Sequence, residues 1–457
     1  MSAARRRVAV VGSGISGLAA AWHLAKSSQA VEAVLFEADS HFGGHAHTVD
    51  VTLDGITHGV DTGFLVFNHA TYPKLVQLFA ELKVPTAESE MSFSVQVPSN
   101  GRDGGLEWSG CNLDTVFAQR RNLVRPRFLG MLRDLLRFNR LTTAIAERQQ
   151  DAAMQQPIGD FLAAQGFSIA FRDWYLLPML GCIWSCPTDQ MLRFPVATMI
   201  RFCHNHGLLR VSQRPQWHTV RGGSRGYVRR LLAGIPDARL NTAVRAVRRV
   251  PPATASAGVW LDTDHGSEHF DDVVLAGHSD QSLALLGNQA SADERAVLGA
   301  IRYQHNRAVL HTDASLLPRR RKAWAAWNYV RAPGESAAVC LHYLINRLQP
   351  LPWQQPVVVS LNPIREPAPA SVHGEYHYAH PVFDLGAIAA QARLPHIQGS
   401  LHVWFAGAWT RYGFHEDGLS SGIAVADALQ ARWAAEAAEA AGAAPGLAAR
   451  ATTRAAA

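Results

Sequence analysis

An α/β fold built on a buried parallel strand and a Rossmann-type turn is what the sequence predicts, on three observations. Val8 to Val11 is an apolar, β-branched run of the kind found in buried parallel strands, and the alanine-rich stretch after Gly17 favours helix. Between them lies the turn Gly12-Ser13-Gly14-Ile15-Ser16-Gly17, so three glycines fall at a strand-to-helix junction. Gly12 suits a tight turn, Gly14 lets backbone approach a pyrophosphate, and Gly17 lets helix and strand pack closely. Phosphates would then be held by amides at the helix N-terminus. A second strand, Ala33 to Phe36, runs into Glu37, 20 residues after Gly17, where a carboxylate can accept hydrogen bonds from ribose hydroxyls. Arg5-Arg6-Arg7 ahead of an apolar stretch is also how a secretory signal begins, but the glycine spacing, Trp22-His23 and Glu37 count against cleavage there.

With 457 residues and 48% hydrophobic content, the chain can bury a large core in two domains, interwoven or in series. The five cysteines, Cys111, Cys182, Cys186, Cys203 and Cys340, are odd in number and form no CxxC pair, which argues for a reducing compartment and against a disulfide framework or zinc site. No apolar run reaches the roughly 18 residues needed to span a bilayer, so a cytoplasmic protein, soluble or peripheral on the inner face of the membrane, is expected. A net charge of +6 and a pI near 9.2 suit an anionic partner. No zinc-finger or RNA-motif signature points to nucleic acid. His204-Asn205-His206 lacks the partners and spacing of a metal motif, so no metal is expected.

After Glu37 and Ala38 comes Phe42-Gly43-Gly44-His45-Ala46-His47-Thr48, a glycine pair where backbone can pass close to a flat or anionic group. A strand pair follows, closed by Asp61-Thr62-Gly63-Phe64. His45 and His47 can be read either as facing a bound ring or as hydrogen-bonded turn residues. Leu75, Leu78, Phe79 and Leu82 recur at helical spacing, predicting an amphipathic helix over 72–82, and Met91 to Trp108 alternates as strands do. Past the cluster Gln119 to Arg127, a helix is predicted from Pro126 to about Leu141. Phe128, Met131, Leu135 and Phe138 line one face and Arg133, Arg137 and Arg140 the other. Such a helix fits docking on an anionic membrane surface, and equally a core-packed helix with a solvated arginine face.

The aromatic and aliphatic stretch from Phe161 to Val211 can wall a long apolar pocket or form ordinary core. Arg221-Gly222-Gly223-Ser224 opens a further helix, with strands read at Leu240–Val247 and Asp272–His278 and a small β-meander over Gly258–Phe270. Strand-like pieces recur at Ala308–His311, Ala338–Leu344 and Val357–Ser360. Arg319-Arg320-Arg321-Lys322, followed by Trp324 and Trp327, is a second basic and aromatic stretch, suited to a membrane interface or to a plain charged loop. The chain closes with Val403 to Trp409, then Tyr412-Gly413-Phe414-His415-Glu416-Asp417-Gly418-Leu419, and an alanine-rich tail expected to fray.

The glycine fingerprint, the acid ending the second strand, the Gly-Gly pair within ten residues and the Asp61-x-Gly63 turn resemble the amine-oxidase-like flavoproteins, which include phytoene desaturases and protoporphyrinogen oxidases. The resemblance implies a glutathione-reductase-like FAD-binding domain from 1–70, 215–300 and 400–432, an interleaved α+β substrate domain from 71–214 and 301–399, and a tail over 433–457. It implies that FAD is held by Gly12, Ser13, Gly14, Ile15, Ser16 and Gly17, by Glu37 and Ala38, by Gly43, Gly44 and His45, and by Thr62 and Gly63. It adds a backbone contact to adenine at Val244, the strand-end glycine Gly407, and Gly418 and Leu419, whose helix N-terminus would face the flavin edge. His45 stands where the family usually has arginine, and His415 where amine oxidases have a flavin-facing aromatic residue. The motifs GGHxHT, VDTGFxVFN, RxFHNHGLL and GFHEDGLxSG further resemble a bacterial subgroup often encoded beside cyclopropane-fatty-acyl-phospholipid synthases.

The resemblance implies an FAD-dependent oxidoreductase working by hydride transfer, with an unsaturated phospholipid acyl chain as preferred substrate and desaturation or double-bond rearrangement as outcome. His415, with Tyr412 or His45, is expected to place polar groups near the flavin. An amine or amino-acid oxidase, a flavin-bearing accessory protein for a lipid-modifying methyltransferase partner, and a redox-neutral isomerase remain as alternatives.

Overall fold

The computed structural model describes residues 5–27, 31–98, 105–150, 154–210, 214–250, 257–331 and 339–443, the side chains of 440–443 excepted. Within the stretch Met91 to Trp108, expected as strands, residues 99–104 lie outside the described residues, as does the tail beyond 443.

At the centre is a five-stranded parallel sheet in the spatial order Asp237–Arg239, Val31–Phe36, Arg6–Val11, Asp272–Leu275, Val403–Phe405. Its middle strand is covered on both sides, with Val8, Ala9 and Val10 fully buried, as a parallel strand with helices on both faces requires. In register, Val8 lies beside Ala33 on one side and Asp272 on the other. The helix Ile15–Ser27 leaves this strand through the glycine turn, and the last helix, His415–Ala443, packs along it. The strand predicted to end at Glu37 ends at Phe36, whose carbonyl accepts from the Gly12 amide at 2.8 Å. An antiparallel meander of Val244–Arg249, Val259–Thr263 and Gly266–Phe270 flanks this sheet.

A second, seven-stranded mixed sheet takes strands from both halves of the chain. Phe93–Val97 and Leu106–Ser109 join Arg302–His311, Trp327–Val330, Cys340–Leu344, Val358–Leu361 and Val372–Val382. The only parallel pairing among these is between Phe93–Val97 and Trp327–Val330. A small antiparallel sheet is formed by Phe67–Asn68, Thr86–Ser89 and Trp217–Val220.

The arginine-rich helix runs from Pro126 to Glu147, longer than its predicted end near Leu141, behind a 3-10 turn over Arg120–Val124. Its buried side carries Phe128, Met131 and Phe138, and Arg133, Arg137 and Arg140 are exposed. Most of the aromatic stretch after Phe161 is core: Phe171, Trp174, Tyr175, Met199 and Ile200 are buried in the main apolar cluster. Among the described residues, no helix is long and apolar enough to cross a membrane.

Candidate active site

The glycine turn is shaped by contacts that only some of its glycines need. Gly12 has φ +101°, a backbone state that side chains rarely adopt. At Gly17 a Cβ would lie 1.8 Å from the Gly12 carbonyl oxygen, so helix and strand meet there without a side chain between them. A Cβ built on Gly14 meets nothing within 4 Å. Protein packing therefore places no demand on Gly14, and the space in front of it is a cradle that a ligand's phosphates can fill. Glu37 faces the turn: its Oε2 accepts from the Ser13 amide at 2.8 Å and from the Ser13 hydroxyl at 2.5 Å. The Ser13 hydroxyl in turn accepts from the Gly43 amide at 3.1 Å, tying the second glycine pair to the first turn.

These elements open onto a cavity of about 980 Å³, at the upper end of the range for ligand sites. Gly12, Ser13, Gly14, Ile15 and Ser16 line it, as do Glu37, Gly43, Gly44 and His45, and beyond them Gly63, Gly407 and His415. Gly17, Ala38, Thr62 and Val244 do not. Ala38 is exposed, and its neighbours Asp39 and Ser40 face the cavity instead. Thr62 is buried behind the lining, where its hydroxyl meets that of Tyr378 at 2.6 Å. Val244, assigned to adenine, sits on the meander away from the cavity.

Three expectations at the carboxyl end need correction. Tyr412 does not line the cavity; its carbonyl accepts from the Trp184 indole at 3.4 Å and its ring packs near Phe202. Gly418 and Leu419 lie inside the helix rather than at its open end. The Gly418 amide is already spent on the Phe414 carbonyl at 3.0 Å, and Leu419 is buried in the core. What Gly418 provides is close approach, since a Cβ there would lie 2.8 Å from Ile15 Cγ2. The acids beside it also serve the fold. Asp417 caps the Phe414 amide at 3.0 Å, and Glu416 accepts from the Lys74 and Leu75 amides of another helix, Pro73–Glu81.

His415, first residue of the last helix, is held on two sides. Phe64 stacks on it with ring centroids 3.9 Å apart, and its Nε2 shares a 2.5 Å hydrogen bond with the buried Tyr227 hydroxyl. Desolvation depresses its pKa to about 3, so the imidazole is neutral near pH 7. His380 is held at about 4, by burial first and then by His278. His45 is pushed well below the ordinary histidine value by burial and by repulsion from His380, His278 and His415. Its Nε2 is buried without a hydrogen-bond partner. Such an orphan is costly unless a ligand satisfies it, so His45 fits a bound group that offers a donor or acceptor there.

Sequence reasoning missed His278, His305, Tyr378 and His380, which reach the cavity from the second sheet and from a strand end of the first. One signal was present: Tyr376, Tyr378 and His380 recur at i, i+2, i+4 on the strand Val372–Val382 and share a face. Tyr378 packs 5.0 Å and His380 5.3 Å from the His45 ring. Among the described residues there is no cluster of three or more metal-binding side chains.

A family model described as flavin containing amine oxidoreductase matches residues 15–310. No curated protein matches the chain. Among solved structures, a protein of Exiguobacterium sp. 255-15 described as a protoporphyrinogen oxidase superposes with a TM-score of 0.64 at 16% identity, over 93% of this chain and 99% of that one. A CLA-producing fatty acid isomerase from P. acnes gives 0.63 at 15% identity, over 92% and 97%. Putrescine oxidase bound to putrescine gives 0.63 at 16%, over 93% and 99%. At these identities the likeness is one of fold. The family match takes in the glycine turn from Ile15, Glu37 and the Gly43-Gly44 pair that border the cavity, and the chain accordingly belongs to the flavin-containing amine oxidoreductases, FAD-dependent oxidoreductases of mixed α/β fold.

Proposed function

We propose that this oxidoreductase acts on unsaturated fatty acyl chains of phospholipids, by desaturation or double-bond rearrangement. The observation that carries the reading is the uncharged character of the cavity away from the glycine turn. Phe64, Met91, Ile183, Leu208, Trp217 and Phe414 line it there, and His45, His380 and His415, which join them, are kept neutral by burial. The four carboxylates that border the cavity each accept from a protein group: Glu37 from Ser13, Asp39 from the Ser40 amide at 2.7 Å, Glu375 from Arg307 at 2.9 Å, and Asp280 from the Gln281 amide. A substrate amine would enter as a cation and find no carboxylate in the apolar portion, whereas an acyl chain gains from each apolar contact.

FAD held by the glycine turn and Glu37 would supply two-electron chemistry to the site. The chain's own part is to position and to exclude water. Gly14 and the helix N-terminus hold phosphates, Glu37 faces the ribose position, and the unpartnered Nε2 of His45 offers one polar contact. His415, fixed between Phe64 and Tyr227, presents a neutral ring to the cavity. Aromatic side chains wall the cavity, and an allylic C–H, more activated than a saturated one, is the better candidate for hydride loss there.

The test is anaerobic mixing of FAD-loaded protein with phospholipids of defined unsaturation, following flavin absorbance and then analysing the lipids. Bleaching with loss of two hydrogens from the acyl chain is expected for desaturation. A shifted double bond without bleaching would identify rearrangement. Bleaching by a polyamine and by no lipid would overturn the proposal.

A further inference from the structure

Six of the twelve large apolar side chains exposed among the described residues fall in one stretch of the chain: Leu113, Leu123, Val124, Leu129, Leu136 and Ile169. Singly scattered surface apolar residues are ordinary, whereas half of the twelve fall within residues 113–169. On the helix Pro126–Glu147, the residues Leu129, Arg133, Leu136 and Arg140 follow one another at i, i+4, i+7, i+11 and are all exposed. They form a single stripe of alternating apolar and cationic groups opposite the buried face of Phe128, Met131 and Phe138. Arg133 and Arg140 make no ion pair or hydrogen bond with the described residues. The stripe meets no acid until Glu147 at the end of the helix, since Asp134 is buried and accepts from the Ser168 amide.

The fold adds cations from a part of the chain some 200 residues away. Asp114, the second residue of the short helix that begins at Leu113, pairs with both Arg120 and Lys322, and Glu107 pairs with Arg320 at 2.9 Å. The two basic stretches read separately in the sequence, 119–127 and 319–322, are thus one surface. Val124, 81% exposed, stands at the junction between the 3-10 turn and the helix.

This surface is also connected to the cavity. Arg125 and Arg127 each lie 5.1 Å from the ring of Trp174. From Trp174 the chain continues as helix through Leu177–Trp184, and Cys182, Ile183 and Ser185 line the cavity. Eight residues of helix separate the two, about 12 Å at 1.5 Å per residue.

We propose that this face docks the protein on an anionic phospholipid bilayer, the leucines and Val124 entering the headgroup region and the arginines pairing with lipid phosphates. Charge complementarity selects the partner, because alternating arginine and leucine on a fixed helix face suits a surface that is anionic outside and apolar just beneath. The proposal rests on surface chemistry and does not depend on which molecule the flavin site oxidises.

Flotation of FAD-loaded protein with phosphatidylcholine vesicles, with or without phosphatidylglycerol, tests it. Binding is expected only with phosphatidylglycerol and should weaken with salt. Each arginine charge near the surface is worth about fivefold in partitioning, so Arg133→Gln with Arg140→Gln should weaken binding about 25-fold. Val124→Ser with Leu136→Ser should weaken it while leaving the salt dependence in place. All four positions are exposed, and unchanged flavin absorbance and melting temperature verify the fold of each variant. Equal binding to both vesicle types, no binding, or binding that neither pair of substitutions alters would overturn the proposal.

Discussion

Acidification should unfasten the second sheet at a single hydroxyl. Ser360 Oγ lies 2.6 Å from His311 Nε2 and 2.6 Å from His342 Nδ1, with both rings buried at 0% and 3% exposure. The Asp313 amide donates to His311 Nδ1 at 3.1 Å, so the proton of that ring sits on Nε2 and is given to Ser360. Ser360 then donates to His342 Nδ1, leaving the other nitrogen of that ring, 3.6 Å from Cys340 Sγ, to carry its proton. Every group in this relay has one role, and a second proton on either ring sets donor against donor. Burial accordingly depresses His311 to about 4 and His342 to about 3. A histidine whose pKa is lowered on folding stabilises the native state fully above about 6.5 and ceases to do so as the pH falls through its folded value. Between about pH 7.5 and about pH 5, each ring therefore withdraws about 2 kcal/mol, on the order of 4 kcal/mol for the pair. That is a large part of the 5–15 kcal/mol typical of folded proteins. Urea titrations at the two pH values measure the loss. In a variant carrying His311→Gln and His342→Asn, which keep a donor and an acceptor toward Ser360 without titrating, the loss should shrink by that amount. An equal loss in variant and wild type would refute the reasoning.

The glycine turn separates packing from ligand contact. Gly14→Ala meets no protein atom within 4 Å, so the apoprotein should melt as wild type does while FAD affinity, followed by flavin fluorescence quenching, falls at least tenfold. Gly17→Ala drives a methyl to 1.8 Å from the Gly12 carbonyl and should cost the apoprotein about 1–3 kcal/mol before any ligand is added. Equal melting temperatures for the two apoproteins would contradict this division. Tyr227→Phe removes the partner of His415 Nε2, and leaving that nitrogen unpaired should cost about 1–3 kcal/mol, read as a lower urea midpoint at pH 7.

Local order was legible and remote convergence was not. The strand, the glycine turn and Glu37 could be read because their chemistry is written within 30 residues and each element keeps one period throughout. The faces of the helix Pro126–Glu147 followed from the 3.6-residue repeat for the same reason. His278, Tyr378 and His380 escaped because nothing near them in sequence indicates that the strand Val372–Val382 passes the loop carrying His45. Gly418 was misread for a geometric reason. A helix N-terminus offers free amides only in its first turn, and the helix begins early enough that the Gly418 amide is bonded to Phe414. Tyr412 was expected to place a polar group near the flavin with His415, but its ring packs near Phe202 outside the lining.

The last helix bears on the first turn so tightly that Gly422 has no room for a side chain, a Cβ there falling 2.1 Å from the Ser16 carbonyl oxygen. The wall of the nucleotide cradle is thus laid down by residues some 400 positions apart in the sequence. A ribosome that has made the first 400 residues has released neither the strand Val403–Phe405 nor the helix that braces Ile15 and Ser16. The cradle is therefore fully braced only after residues beyond His415 have been made, and until then Ile15 and Ser16 lack the helix that packs on them.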